Sequence, residues 1–171
     1  CGLDYSNPFK FYDIFVTRDL GGQSMGLPFF PIFANSGRAE SRSHMLSQSD
    51  AVPVQSCWSG MLAVQARYIQ SSTKTIPEGF QNIAAHSINP KLPRKVKAPV
   101  RFRAEPELFF DACECCLFLA DLLQVAKQAH DEFGVFINPY IRVAYNPKVL
   151  AWLHVAQRFE RLFSWPHGLL S

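Results

Sequence analysis

The residues best suited to chemistry lie in one short stretch, Gln55 to Val64, which reads Q-S-C-W-S-G-M-L-A-V. A strand-like run enters Trp58-Ser59-Gly60, and an apolar run leaves it. Tryptophan offers a flat apolar surface for the C–H face of a sugar ring, serine can donate and accept hydrogen bonds, and glycine lets the backbone approach a ligand closely. The same residues would also suit a core tryptophan beside a β-bulge between two core strands. Both interpretations stay open at this level.

A second group of polar side chains lies near the N-terminus. Asp13 lies within an aromatic run that stops at Gly21-Gly22, and Arg18 and Asp19 lie at its end. Strand ends in α/β sheets open onto the crevice where ligands and metals bind, so these residues are candidates for such a contact. The alternative is that the aspartate caps the turn and the arginine lies at the surface.

Further candidates lie in the second half of the chain. Glu114 and Asp121 bracket the most apolar run, C-C-L-F-L-A, where a buried carboxylate is costly unless it is paired or catalytic. The alternative for Glu114 is a solvent-facing position on an edge strand. Residues 91–103 carry six basic and no acidic side chains, and Arg103 is the candidate within this tract for binding phosphate. Such a tract also suits a solvated surface.

Composition limits the classes of function. The 171 residues are 48% hydrophobic and 18% charged, which is typical of a folded domain, and the formal charge of +3 is too small to indicate nucleic acid binding. The sequence contains no P-loop, nucleophile elbow, G-x-G-x-x-G or H-E-x-x-H motif. The five cysteines lack the spacing of a zinc site, and we expect most of them to be buried thiols. The longest apolar run is too short to cross a bilayer.

The sequence pattern predicts strands that alternate with helices and loops, and these elements must position the candidate residues. Such an order indicates an α/β or α+β domain over residues 1–171. Strands are expected at 9–20, from Val52 to beyond Gly60, and at 100–103. Residues 113–121 predict a strand followed by a short helix, although one longer helix fits the same spacing. The stretch 134–147 predicts two strands broken at Asn138-Pro139. A short surface helix is expected before Asp50, and residues 148–171 predict an amphipathic helix, to about Phe163, and a tail.

Six motifs together carry a family resemblance. In chain order they are N-P-F-K-F-Y-D-I-F-V-T-R-D-L, M-G-L-P-F-F-P, V-P-V-Q-S-C-W-S-G-M-L-A, R-F-R-A-E-P-E, E-C-C-L-F-L-A-D and I-N-P-Y-I-R-V-A-Y. They resemble the fungal capsule-associated α-1,3-mannosyltransferases of glycosyltransferase family 69, in the same order, over roughly Cys1 to Pro147.

The resemblance implies a GT-A-like domain that transfers mannose with net retention from GDP-mannose to a mannan-type glycan or capsule polysaccharide. It also implies a divalent cation such as Mn²⁺, held by an Asp-x-Asp element, and a Golgi-lumenal domain on an N-terminal membrane anchor. This chain has no Asp-x-Asp. We therefore expect the nucleotide-binding half, the metal ligands and the anchor upstream of Cys1, and the chain to be the C-terminal part of the catalytic domain.

The family motifs assign roles to individual residues of this chain. Catalytic roles fall on Asp13, Glu114 and Asp121. Contacts with the substrates fall on a larger group, namely Arg18, Asp19, Trp58, Ser59, Gly60, Arg103, Asn138 and Arg142. Ser59 stands where relatives often have Asn or Gly, so an amide contact from that side chain is not expected. A non-catalytic glycan-binding or assembly protein on the same scaffold is the alternative function.

Overall fold

The computed structural model of the chain describes residues 1–35, 40–70, 96–103, 114–157 and 159–170. These residues form two compact units. The first unit consists of Cys1–Ala63 and Gly134–Ser171, and the second consists of Val64–Phe133. Helices and short strands occur together, so the prediction of a mixed α/β protein is confirmed. The GT-A-like arrangement stays a prediction.

Two pairs of three-residue strands organise the first unit. Strand β1 (Leu3–Tyr5) pairs in parallel with β4 (Arg142–Ala144), and β2 (Val52–Val54) pairs antiparallel with β3 (Val135–Ile137). β-branched residues of β2 and β3 bury one face of the second pair, while Phe136 points outward and is 47% exposed. The predicted strand at Val52 and the two strands on either side of Asn138-Pro139 are confirmed.

Helix α1 (Glu40–Leu46) occupies the position of the predicted surface helix, but one of its faces is buried. The Ser41 hydroxyl donates a hydrogen bond to the carbonyl of Pro53 at 2.7 Å and accepts one from the Leu20 amide at 2.9 Å. These bonds join the helix to β2 and to the N-terminal loop, so α1 is part of the framework of the unit.

The predicted strand at 9–20 is wrong. The segment makes isolated bridges instead, between Phe11 and Tyr5 and between Arg18 and both Ser24 and Ser56. The Thr17 hydroxyl donates to the Asp13 carbonyl at 3.0 Å and closes a turn inside the segment. Side chains that bond locally to the backbone in this way compete with a strand ladder, and period-two patterns do not reveal them.

Two other predicted strands are also wrong. The apolar run after Gly60 forms no strand, and Met61 at its start is 56% exposed. Residues 100–103 are irregular, although the Val100 amide donates to the Tyr68 carbonyl at 2.7 Å.

In the second unit, residues Glu114–Gln128 form the single helix α2, so the predicted strand at 113–121 is wrong and the longer helix is correct. Its buried apolar side chains lie on one face of the helix: Phe118, Leu119, Leu122, Val125 and Ala126. A short apolar run has the same appearance in a buried strand and in a helix, and here the apolar positions beyond Asp121 decide between them.

The C-terminal region is divided where one helix was predicted. Helix α3 (Pro147–Ala156) is capped by the Asn146 side chain, which accepts from the Lys148 amide at 2.8 Å, and proline occupies its first turn. A 3₁₀ turn (Glu160–Phe163) and helix α4 (Ser164–Leu170) follow. Among the described residues, no helix combines the length and apolar character needed to cross a membrane.

A disulfide joins Cys1 to Cys57, with the two Cα atoms 6.3 Å apart. Cys116 is disulfide-bonded as well, so the expectation that most of the five cysteines are buried thiols is wrong. The Cys1–Cys57 bond ties the start of β1 to the loop that follows β2. It lies directly before Trp58-Ser59-Gly60, which we call the W-S-G turn.

Removing this disulfide should destabilise the chain. The bond closes a loop with a sequence separation of 56 residues, and loss of a native disulfide typically costs about 2–4 kcal/mol. We expect Cys57→Ser to lower the free energy of unfolding by that amount in urea titrations. Cys115→Ser, which leaves the Cys1–Cys57 bond intact, is the control. Equal stabilities for Cys57→Ser and the parent chain would contradict the prediction.

Candidate functional site

The most unusual polar group in the first unit is the carboxyl of Asp4, in the middle of β1. Asp4 is 2% exposed, and its Oδ2 accepts a long hydrogen bond of 3.4 Å from the Tyr145 hydroxyl. Its Oδ1 makes no hydrogen bond of normal geometry, although the backbone amides of Asp13 and Gly60 face the carboxyl. A buried carboxyl oxygen without a partner is costly, and such atoms are concentrated at functional sites.

The turn that contains Asp13 folds back against β1. The Tyr12 amide donates to the Asp4 carbonyl at 3.0 Å, and Phe11 bridges to Tyr5. This pairing brings the Asp13 side chain close enough to Asp4 for the two carboxyl groups to interact electrostatically. We call Asp4 and Asp13 the carboxylate pair.

Burial and mutual repulsion change the acidity of the pair. Two effects together raise the pKa of Asp13 to about 6: desolvation, which is the larger, and the neighbouring charge of Asp4. A hydrogen bond from the Val16 amide opposes them and lowers the pKa by a smaller amount. Desolvation also raises the pKa of Asp4, whereas the surrounding amides and the Tyr145 hydroxyl lower it. Asp13 therefore changes charge within the pH range in which most enzymes work, which suits a catalytic group.

The W-S-G turn packs beside the carboxylate pair. The Ser59 hydroxyl donates to the Gly2 carbonyl at 2.6 Å, and the Gly2 amide donates to the Met61 carbonyl at 3.0 Å. A Cβ atom on Gly60 would lie 2.9 Å from Val143 Cγ1 and 3.6 Å from the Asp4 Cβ. Glycine is needed here because the backbone approaches β1 and β4 closely, while Trp58 stays partly exposed.

Two tyrosines complete the surface around the pair. Tyr12 and Tyr145 are 60% and 70% exposed, and their rings meet edge to face with centroids 6.1 Å apart. Sequence reasoning did not select Asp4, Tyr12 or Tyr145. Two features of the sequence could have identified the tyrosines. Tyr12 directly precedes Asp13, and Tyr145 directly follows the strand predicted after Asn138-Pro139.

Arg18 and Asp19 lie in the same unit, but the structure assigns them structural partners. Arg18 is 6% exposed and donates to the Phe15 carbonyl at 2.6 Å, while its backbone pairs with Ser56. The Asp19 carboxylate accepts from the Gln23 amide at 2.8 Å across the glycine turn. Both residues hold the N-terminal segment against the strand that leads into the W-S-G turn.

Asn138 and Arg142 stabilise the connection between β3 and β4. The Asn138 side chain accepts from the Tyr140 amide at 2.9 Å. Arg142 forms a two-pronged ion pair with Glu160, with N–O distances of 2.5 and 2.8 Å, and its guanidinium lies over the Tyr5 ring. Their predicted contacts with the substrate stay predictions.

In the second unit the structure brings together two of the predicted residues. Arg103 donates to both carboxylate oxygens of Asp121, at 2.8 and 3.2 Å, and both side chains are largely buried. Glu114 is exposed in the first turn of α2. The catalytic roles of Glu114 and Asp121 stay predictions.

The described residues do not present a complete metal site. Within the described ranges, no group of three or more His, Cys, Asp or Glu side chains could hold a metal ion. The carboxylate pair contributes two carboxyl groups, so a cation there would depend on further oxygen ligands. No step is therefore assigned to the divalent cation that the resemblance implies, and Mn²⁺ stays a prediction.

Most of the chain matches the model of a known family. The family is described as Cryptococcal mannosyltransferase 1, and its model matches residues 1–121. The chain belongs to this capsule-associated mannosyltransferase family. The matched range contains the carboxylate pair and the W-S-G turn, whereas Tyr145 lies beyond it. No curated protein and no solved structure matches the chain.

A side chain at Gly60 should destabilise the chain. We expect Gly60→Ala to lower the free energy of unfolding by about 1–3 kcal/mol, because the new Cβ overpacks Val143. The control is Gly168→Ala in α4, whose Cβ would lie 3.5 Å from the nearest atom. Chemical denaturation of the two variants measures the difference. A Gly60→Ala variant as stable as Gly168→Ala would show that the close approach is absent.

The electrostatic coupling within the carboxylate pair can be measured directly. We expect the pKa of Asp13 to be about 6 in NMR titrations of the carboxyl carbon. Asp4→Asn should lower this pKa without returning it to its ordinary value, because desolvation is the larger cause. Because the pKa of Asp13 is higher in the folded state than in the unfolded chain, its protonated form stabilises the fold at low pH. This stabilisation is lost as the pH rises through about 6. A pKa that is unchanged by Asp4→Asn would contradict the pairing.

Proposed function

We propose that this mannosyltransferase transfers mannose from GDP-mannose to a hydroxyl group of a fungal glycan or capsule polysaccharide, forming an α-1,3 linkage with net retention. The domain would be of the GT-A-like class. The single observation that carries the proposal is the carboxylate pair, set beside the W-S-G turn at the edge of the parallel β1–β4 ladder. Membership of the family supplies the reaction class, and the site supplies the groups that would act on the sugar.

The proposal assigns the central catalytic role to Asp13. In a transfer with retention, the acceptor oxygen bonds to the anomeric carbon as the bond from that carbon to the diphosphate oxygen breaks. The hydroxyl proton passes to the departing diphosphate. Positive charge develops on the sugar ring, and the ionised Asp13 carboxylate would stabilise it. Partial burial strengthens this interaction, because a desolvated charge is screened less than one in water.

The neighbouring residues would hold the sugar. Trp58 is partly exposed in the W-S-G turn, whose Gly60 lies close to Asp4, and would stack on the C–H face of the mannose ring. The exposed rings of Tyr12 and Tyr145 would contact the same sugar or the acceptor. Asp4 would act as a positioning residue, because it is buried and touches the backbone of both the Asp13 turn and the W-S-G turn.

The disulfide supports the proposed location in the secretory pathway. Disulfides form and persist in oxidising compartments and are rare in the cytosol. A bond between Cys1 and Cys57 therefore agrees with a catalytic domain in the Golgi lumen. An N-terminal membrane anchor is part of this proposal.

Replacing the Asp13 carboxylate should abolish most of the transfer activity. We expect Asp13→Asn to lower kcat/KM by about 10²–10³-fold, the usual effect of removing one electrostatic contact to a transition state. The assay measures the transfer of labelled mannose from GDP-mannose to an α-mannoside acceptor. The control is Asp50→Asn at an exposed position. In the parent enzyme, activity should rise as the pH increases through about 6, because Asp13 then ionises. Full activity of Asp13→Asn would refute the assignment.

The alternative is a glycan-binding or assembly protein on the same scaffold. It also predicts sugar binding at Trp58, but without turnover. Calorimetric titration with mannose oligosaccharides should therefore show binding that Trp58→Ala weakens under either function. Binding that is accompanied by no transfer under any metal condition would favour the alternative.

A further inference from the structure

A buried pair of side chains, Arg42 of α1 and His167 of α4, joins the C-terminal helix to the rest of the first unit. The two residues are 6% and 3% exposed, and the Nη1 atom of Arg42 lies 2.8 Å from the Nδ1 atom of His167. Arg42 also donates to the Phe33 carbonyl at 2.7 Å and to the Ser164 carbonyl at 3.3 Å. The guanidinium therefore contacts both the first residue of α4 and its interior.

The contacts of this pair determine the protonation of the imidazole. A guanidinium offers hydrogen-bond donors and no acceptor, so the Nδ1 atom of His167 must accept the bond from Arg42 and carries no proton. The Nε2 atom then carries the proton and donates to the Leu27 carbonyl at 3.3 Å. His167 is therefore neutral in the folded chain, and both of its ring nitrogens hold α4 in place.

The guanidinium of Arg42 is unusual because its partners among the described residues are neutral. Buried arginines are ordinarily paired with a carboxylate, whereas two carbonyls and an imidazole satisfy this one. The other charged side chains of α1, Glu40 and His44, are exposed. A proton on the Nδ1 atom of His167 would thus place two buried cations 2.8 Å apart, and the described residues bring no carboxylate into contact with either.

The titratable groups that approach His167 from other elements do not compensate such a charge. Tyr5 and Glu160 line the same apolar cavity as His167, which has a volume of about 570 Å³. Glu160 forms the two-pronged ion pair with Arg142, and burial raises the pKa of Tyr5 to about 12, so the phenol stays neutral. The loop at residues 27–30 contains no charged side chain. Arg42 is thus the charged group that acts on the imidazole.

Both burial and the Arg42 charge disfavour protonation of His167. Burial lowers the pKa of His167 below its ordinary value of 6.5, and the guanidinium lowers it further, against opposing effects of the hydrogen bonds. Because the unfolded chain takes up the proton more readily, the neutral imidazole stabilises the fold above pH 6.5. This contribution is lost as the pH falls from 6.5 through the lowered pKa. Asp13 acts in the opposite direction, but a change at position 167 leaves Asp13 in place.

We propose that Arg42 and His167 form a pH-sensitive latch, which holds α4 against α1 near neutral pH and releases it when His167 takes up a proton. Release would open the apolar cavity on the side formed by Pro166 and Leu170. The disulfide and the two strand pairs do not involve α4, so they would keep the remainder of the unit folded. This inference does not depend on the proposed transfer reaction, because α4 contains none of the residues assigned to it.

Amide hydrogen exchange of the full chain tests the latch, with mass spectrometry of the segment 164–170 as the readout. We expect this segment to be protected at about pH 8 and to lose protection roughly tenfold or more at about pH 5, after correction for the intrinsic pH dependence of exchange. Strands β2 and β3 should stay protected at both pH values, which distinguishes release of α4 from global unfolding. An unprotected segment at the higher pH, equal protection at both, or parallel loss in the strands would overturn the proposal.

Two asparagine variants assign the effect to one histidine. In His167→Asn the amide oxygen can replace the Nδ1 atom as the acceptor for Arg42, but it takes up no proton. We expect this variant to keep α4 protected at about pH 5. The control, His154→Asn, removes an exposed histidine of α3 and should lose protection as the parent chain does. Equal loss of protection in His167→Asn and in the parent chain would contradict the latch.

NMR of the imidazole nitrogens in the parent chain provides an independent test if His167→Asn does not fold. At about pH 8 the Nδ1 atom of His167 should carry no proton and the Nε2 atom should carry one. The ring should titrate with a midpoint below 6.5. The opposite tautomer, or a midpoint at or above 6.5, would overturn the proposal.

Discussion

The site depends on how closely two backbone segments can approach the β1–β4 ladder. Glycine stands at both points of contact: a Cβ on Gly2 would lie 2.8 Å from the Ile141 carbonyl oxygen, and one on Gly60 would lie 2.9 Å from Val143. A parallel ladder of three residues has little stability of its own. The Ser59 hydrogen bond and the Cys1–Cys57 bond fasten the W-S-G turn onto it. The position of every group around Asp4 follows from this close packing.

This rigid framework makes the burial of Asp4 tolerable. A carboxyl group with an unpaired oxygen favours any rearrangement that lets water reach it. The covalent bond and the backbone contacts oppose such a rearrangement, so the unpaired oxygen stays buried. Stability contributed by the disulfide thus offsets the cost of holding two carboxyl groups together. Enzymes often have lower stability at the active site, where catalytic groups are held with shifted pKa values.

Local sequence patterns predicted the parts of the fold that local forces determine. The β-branched residues at Val52 and the break at Asn138-Pro139 correctly marked strands, because propensity and turn chemistry agree there. Helix α2 was ambiguous until its full length was considered. The predicted strand at 9–20 failed because a threonine hydroxyl closes a turn that no period reveals.

The site itself was only partly predictable. Asp13 and the W-S-G turn were selected from residue type, but Asp4 was missed because its partners come from remote parts of the chain, Tyr145 being 141 positions away. The disulfide could not be deduced either, since five cysteines allow many pairings and spacing does not choose among them. Family motifs supplied the reaction class, and long-range packing supplied the geometry.

The alternation of side chains along β1 separates two kinds of chemistry by a single residue. The Asp4 side chain faces the backbone of Asp13 and Gly60, and Tyr5, the next residue, lines the apolar cavity of about 570 Å³ in the first unit. Because successive side chains of a strand point to opposite faces, inserting or deleting one residue before Asp4 would exchange the two environments. A carboxylate would then enter the hydrocarbon-like cavity, and an aromatic ring would enter the polar site. The length of the segment leading into β1 is thus as constrained as the identity of its residues.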